Sequence, residues 1–267
     1  MKRLQFLLVV VIVSALILSA CGALGAGTSQ QGYLGTIKDR GKLIVGTSAD
    51  YPPYESVDDS GNFVGFDMDL IREVGKRMGV DVEIKDMAFD ALIAAVQEKK
   101  VDTVIAAMQS SPERDEKVDF SEPYHYQKDA FLTAADSPIV LNKAMDAAKH
   151  SIGVQTGTIQ EKWVLDNLVP AGTTEDQIFR YERVDQGALD VKAGRVDILF
   201  INADPAAELA KELGIKVALV TDETVIGGQS IALPEGEKEL KAELDRILAE
   251  MEKDGSIKQL QEKWNIP

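Results

Sequence analysis

The feature that most constrains this chain is an alternation of short apolar runs with helical patterns, and it occurs twice. Leu43–Gly46 (LIVG), Val80–Ile84 (VDVEI) and Val101–Met108 (VDTVIAAM) read as strands. Between them, residues 67–78 place Leu70, Ile71, Val74 and Met78 on one helical face, with Gly79 as a stop. Asp90 caps a second helix carrying Leu92, Ile93 and Val96. Strands separated by helices predict a mostly parallel sheet covered on both faces. The pattern then restarts: SIGVQ as a strand, Thr158–Leu165 and Gln186–Ala193 as helices, Val196–Ile201 as a strand, Asp204–Leu213 as a helix and KVALV as a strand. Two such units in 267 residues predict two α/β lobes. A final amphipathic helix over Lys238–Met251 and a further piece over Ile257–Trp264 close the chain. No short repeat connects the halves, which argues against a solenoid.

The first residues do not belong to that pattern. Lys2 and Arg3 precede an apolar run, Phe6–Leu18, which is short for a membrane span and suits a signal peptide. Leu18-Ser19-Ala20-Cys21 follows and resembles the bacterial lipobox. It implies a signal peptide over residues 1–20, cleavage before Cys21 and a lipid on its thiol, with the protein held at the cell surface or in the periplasm. Cys21 is the only cysteine, so no internal disulfide is available. Residues 21–36, rich in Gly, Ala, Ser and Gln at their start, read as a flexible tether. Without residues 1–20 the chain carries 27 basic against 44 acidic side chains, a net of −17. That surface repels nucleic acid and anionic lipid.

Catalytic and metal signatures are weak. His125 and His150 are the only histidines, and neither has a partner at metal-ligand spacing. No G-x-S-x-G occurs. The nearest approach to a phosphate loop, Gly35–Lys42, has the wrong glycine spacing and Leu43 where Ser or Thr is needed. No metal or cofactor is expected.

Several segments carry a family likeness in a fixed order: GFDMDL (65–70), FDALIAAV (89–96), MQSSPERDEKVDFSEPY (108–124), GVQTGTIQE (153–161) and GRVDILFINADPA (194–206). Together they resemble the family 3 extracellular solute-binding proteins, the polar amino acid receptors of ABC importers. The resemblance covers residues 37–267. It implies a type II periplasmic-binding-protein fold: two α/β lobes joined by two crossings, with a ligand cleft between them. Lobe 1 would comprise 37–128 plus 226–267, and lobe 2 would comprise 129–225. It also implies a monomer that delivers an amino acid to permease subunits in the membrane. Two other readings share the scaffold, an enzyme similar to cyclohexadienyl dehydratases and a ligand-sensing module.

The same resemblance designates the ligand site. Tyr51 and Phe89 would sandwich the ligand, and the stiff Pro52-Pro53 backbone beside Tyr51 favours a pre-set ring. Arg114, read alone, belongs to the solvated charge run SPERDEK. By resemblance it grips the ligand carboxylate with its planar fork. Thr158 and Ile159 open a lobe 2 helix whose N–H groups would face that carboxylate, with the Thr158 hydroxyl added. Ala107, Gln109 and Asn202 complete the set, and they are departures from it. Ala107 (with Ala106) and Gln109 replace hydroxyl residues, and Asn202 replaces an aspartate that meets the ligand ammonium. Asp204 could take over that contact. Ser48 replaces an aspartate of the basic-amino-acid receptors. These changes argue against arginine or lysine as ligand and favour a small polar amino acid or related zwitterion. Asp67 and Asp69 are expected to be structural, meeting free N–H groups at a helix start. Tyr54 is expected to pack beneath the site.

Overall fold

A computed structural model describes residues 32–267. The signal peptide expected over residues 1–20, and Cys21, lie outside the described residues. The first helix, α1 (Tyr33–Arg40), takes in residues 33–36, which the sequence assigns to the tether. They are ordered because Tyr33 donates its hydroxyl to the buried Asp102 at 2.8 Å and Ile37 is fully buried.

Strand β1 (Lys42–Thr47) is followed by a small hairpin, β2 (Ser56–Val57) and β3 (Phe63–Val64), then by helix α2 (Phe66–Met78) and β4 (Asp81–Asp86). Gly79 ends α2 in the left-handed conformation, φ 77°. Gly65 begins it with φ 132°, and a Cβ there would lie 2.1 Å from the Tyr54 carbonyl oxygen. Only glycine fits that approach. Helix α3 (Leu92–Gln97), β5 (Thr103–Val104), the short α4 (Pro112–Asp115) and β6 (Val118–Phe120) follow. The chain then passes to a second sheet: β7 (Asp129–Thr133), β8 (Ile152–Gln155), α5 (Ile159–Trp163), β9 (Ile178–Tyr181), α6 (Val184–Lys192), β10 (Ile198–Asn202), α7 (Ala203–Leu213) and β11 (Lys216–Thr221). It returns to the first sheet with β12 (Ala232–Pro234) and ends in α8 (Lys238–Lys253) and α9 (Ser256–Trp264).

The first sheet has the order β4-β1-β5-β12-β6 and the second β11-β7-β10-β8-β9. Each is mixed, which corrects the mostly parallel expectation. Strands β4, β1 and β5 are parallel, but β12 runs antiparallel to both neighbours. In the second sheet β7 runs antiparallel to β10 and β11. The reversals fall at the strands that carry the chain between sheets, a connectivity that local periodicity does not reveal. The run 101–108 forms a strand only over Thr103–Val104. Beyond it the backbone turns, with Ala107 at φ 47°.

In lobe 1, Leu70, Ile71 and Val74 of α2 pack with Leu43 and Val45 of β1 and with Leu244, Ile247 and Met251 of α8, all fully buried. Lobe 2 is centred on Phe131 and Phe200, whose rings stack at 4.2 Å, with Trp163 edge-on to both. Burying each such side chain contributes on the order of 1.5–3 kcal/mol. Asp69 is held at the lobe 1 surface by Lys263 at 2.7 Å and the Trp264 indole at 2.8 Å, so it pins α9 to α2.

Candidate ligand-binding cleft

The carboxyl ends of strands from both sheets converge on one cleft, where open α/β sheets place ligands. Strand β1 leads to Ser48, Asp50 and Tyr51, β4 to Phe89, and β5 to Ala106, Ala107 and Gln109. From lobe 2, β8 leads to Gln155, Thr158, Ile159 and Gln160, and β10 ends at Asn202. Arg114 and Glu55 complete the lining of this cleft. Tyr51, Phe89, Ala107, Gln109, Arg114, Thr158, Ile159 and Asn202 are thus brought together.

Arg114 spans the cleft. Its Nη1 donates to the Gln109 carbonyl at 2.6 Å within lobe 1, and its Nη2 to the Gly157 carbonyl of lobe 2 at 3.0 Å. The guanidinium lies 5.4 Å from the centroid of the Phe89 ring. Desolvation pulls its pKa down to about 10, which leaves it cationic at neutral pH. Arg114 is the one cation among the lining residues.

Tyr51 makes the second crossing. Its hydroxyl donates to Asn202 Oδ1 at 2.9 Å and accepts from the Asn202 backbone N–H at 3.0 Å. Asp50 makes a third, accepting from the Val184 N–H of lobe 2 at 2.6 Å while its other oxygen accepts from Ser48. Burial pushes the Asp50 carboxyl up. A carboxylate therefore sits beside Ser48 after all, and the case against a cationic ligand side chain loses much of its force.

Three expectations are corrected. The Thr158 hydroxyl is not free to meet a carboxylate: it donates to the Gln155 carbonyl at 2.7 Å and accepts from the Glu161 N–H, capping α5. Asp204 does not reach the cleft. It accepts from the hydroxyl of Tyr54 at 2.6 Å and lies 3.7 Å from His125 Nε2. Asp67 does not cap α2. It is fully buried beneath the cleft and accepts from the Ala107 N–H at 2.7 Å and the Tyr124 hydroxyl at 2.8 Å. Burial pushes its pKa up to about 6. Tyr54, by contrast, does lie below the site, fully buried.

Asp50, Glu55, Gln160 and Asp129 escape sequence reasoning. Glu55 lines the cleft, shares a hydrogen bond with Asp67, and is pushed well above the usual carboxylate range by burial and by that neighbour. Two adjacent buried carboxyls cannot both ionise cheaply, so Glu55 holds a proton that Asp67 accepts. Asp129 stands directly behind the lining. The only signal for the first three is position: they lie within a few residues of strand ends that turn into the cleft. Asp129 gives none beyond being a lone acid ahead of the apolar run AFLTA. Among the described residues, no group of three His, Cys, Asp or Glu side chains is placed to hold a metal ion.

Comparison with known proteins matches this architecture. The model of the bacterial extracellular solute-binding proteins, family 3, matches residues 43–266. The L-cystine-binding protein TcyJ of Escherichia coli K12 is 30% identical over 249 residues, covering 91% of each chain. The arginine-binding extracellular protein ArtP of Bacillus subtilis 168 is 33% identical, covering 99% of this chain and 98% of its own. An ancestral arginine-binding protein bound to arginine superposes with a TM-score of 0.79 at 34% identity, over 84% of this chain and 98% of that one. The type II periplasmic-binding-protein fold, two α/β lobes facing a shared cleft, is common to these neighbours. By its sequence, its fold and the position of its cleft, the chain belongs to the bacterial extracellular solute-binding proteins of family 3.

Proposed function

We propose that this protein captures a small polar amino acid between its lobes outside the cytoplasm and presents it to the permease of an ABC importer. The relatives that bind cystine, arginine and histidine support the ligand class. The observation that carries the reading is the placement of Arg114: a lone cation in the cleft wall, reaching from lobe 1 to the Gly157 carbonyl of lobe 2. A ligand carboxylate can displace those carbonyls and take both guanidinium edges, a contact worth on the order of 1.5–3 kcal/mol. Phe89 and Tyr51 then flank the ligand, with Ala107, Gln109, Thr158, Ile159 and Asn202 around it. In this reading lobe 1 spans 37–128 plus 226–267 and lobe 2 spans 129–225. The protein acts as a monomer, held to a membrane by lipid on Cys21 after removal of residues 1–20.

The experiment is a thermal-shift panel of L-amino acids on the soluble chain from residue 22, since a ligand of the native state raises Tm. Polar amino acids are expected to raise it. Arg114→Ala is expected to abolish the rise while leaving the ligand-free Tm within a few degrees. A mutant that responds like the wild type would defeat the assignment. Blocking Cys21 by Cys21→Ala is expected to move the protein from the membrane fraction to the soluble extracytoplasmic fraction.

One observation favours a second reading. Glu55 is a protonated carboxylic acid in the wall of the cleft, the kind of group that acid-catalysed elimination needs. A solved ancestral amino acid-binding protein described as a precursor of cyclohexadienyl dehydratase is 32% identical to this chain, with a TM-score of 0.78. Incubation with prephenate or arogenate separates the two readings, and turnover lost in Glu55→Gln would establish the enzyme.

A further inference from the structure

Asp129 is 1% exposed and opens β7, the strand by which the chain enters lobe 2. Three donors meet its carboxylate. Gln160 Nε2 lies 2.7 Å and Asn202 Nδ2 2.8 Å from Oδ1, and the Thr224 hydroxyl bonds Oδ2. All three are neutral. A buried carboxylate with no cation in contact is costly to keep ionised, and burial accordingly pushes its pKa up while the three donors oppose the shift.

Its two amide partners both line the cleft. A primary amide donates from one side and accepts on the other. Gln160 and Asn202 each give an N–H to Asp129, which turns the carbonyl oxygen of each amide away from it. The Asn202 carbonyl shows this orientation directly, since it accepts from Tyr51. A hydrogen bond to a carboxylate also polarises the amide and makes its oxygen a stronger acceptor. The lining thus offers Arg114 as its cation and two amide carbonyls whose amides are bonded to a buried acid.

We propose that Asp129 is the positioning residue and the relayed counter-charge for a cationic amine of the ligand, acting through the carbonyls of Gln160 and Asn202. The inference rests on the amino acid reading above and gives the missing charge at Asn202 a source. A zwitterion with its carboxylate toward Arg114 places its ammonium at those carbonyls.

The test is calorimetric titration of the wild type and of Asp129→Asn with L-glutamine, L-arginine and L-cystine. Each amino acid that binds is paired with the same acid lacking the α-amine, measured by competition. Asp129→Asn keeps the shape and removes the charge. Its affinity for the amino acid is expected to fall by about 10- to 100-fold, and the wild type's preference for the amino over the des-amino form is expected to shrink by the same factor. Equal loss for both forms would assign Asp129 a merely structural role, and no loss would remove it from recognition; either result overturns the proposal and leaves the receptor reading intact. Where none of the three binds, the pair is drawn from the L-amino acid that raises Tm most in the panel above, and a wild type that binds no amino acid of that panel overturns the amino acid reading, and the relay with it. Should Asp129→Asn fail to fold, Gln160→Met removes one relay arm without touching the Asp129–Thr224 bond. It is expected to show the same selective loss, and an unselective one counts against the relay.

Discussion

The hydroxyl of Tyr51 and the residue Asn202 exchange two hydrogen bonds, at 2.9 and 3.0 Å, although one belongs to lobe 1 and the other to lobe 2. One phenol thus serves as wall and as latch. Tyr51→Phe keeps the ring and leaves a buried carbonyl and a buried N–H without their partner, at a cost of about 1–3 kcal/mol. Ligand affinity is expected to drop about 10-fold or more, as titration would show. Unchanged affinity would mean that the latch contributes nothing to closure.

Arg114→Lys tests geometry apart from charge. Lysine keeps the cation but cannot bond Gln109 and Gly157 in one plane, nor engage a carboxylate with two parallel N–H groups. Its amino acid affinity is expected to lie nearer that of Arg114→Ala than that of the wild type. A lysine variant binding at wild-type strength would show that only the charge matters.

Glu55 and Asp67 make stability depend on pH with a definite sign. Both carboxyls have folded-state pKa values above their ordinary 4.5 and 3.8, Asp67 at about 6. The folded protein therefore holds protons that the unfolded chain has already released. The stability they contribute is full below about pH 4 and is lost as pH rises through the folded values. Between about pH 4 and pH 7 the Tm is expected to fall. Glu55→Gln supplies an N–H to Asp67 at every pH, so its Tm is expected to fall less over that range. Parallel curves in scanning calorimetry would show that the pair does not titrate as described.

Gly65 should tolerate no side chain. Its φ of 132° is strained for other residues, and the added Cβ would press on the Tyr54 carbonyl. Gly65→Ala is expected to lower stability by about 2 kcal/mol or more in denaturant unfolding. It would also displace Tyr54 and weaken the link to Asp204.

Much of this architecture is legible in the sequence because it rests on local periodicity. The apolar face of residues 67–78, the stop at Gly79 and the helices after 184 and 238 follow from side-chain spacing. The lining residues Tyr51, Phe89 and Arg114 are legible through the family resemblance of their segments, and Arg114 read alone looks like part of a solvated charge run. Strand direction in β12 and β7 is not legible, since it depends on which sheet a distant segment joins. The buried acids are hidden for a related reason. Asp50, Glu55, Asp67 and Asp129 look like ordinary surface charges until tertiary packing removes their water. Thr158 shows the opposite limit: a cap and a ligand donor need the same residue type, and only geometry shows which role the hydroxyl has taken.

The insertion of Ala232–Pro234 between Thr103–Val104 and Val118–Phe120 has a consequence for how the molecule is assembled. The amino-terminal half cannot zip its own edges shut, because the piece that joins them arrives only after every strand of the second sheet. Lobe 2, contiguous in the chain, can mature while its neighbour still waits for its centre. A polypeptide wired in this way stays incomplete until nearly its whole length is available.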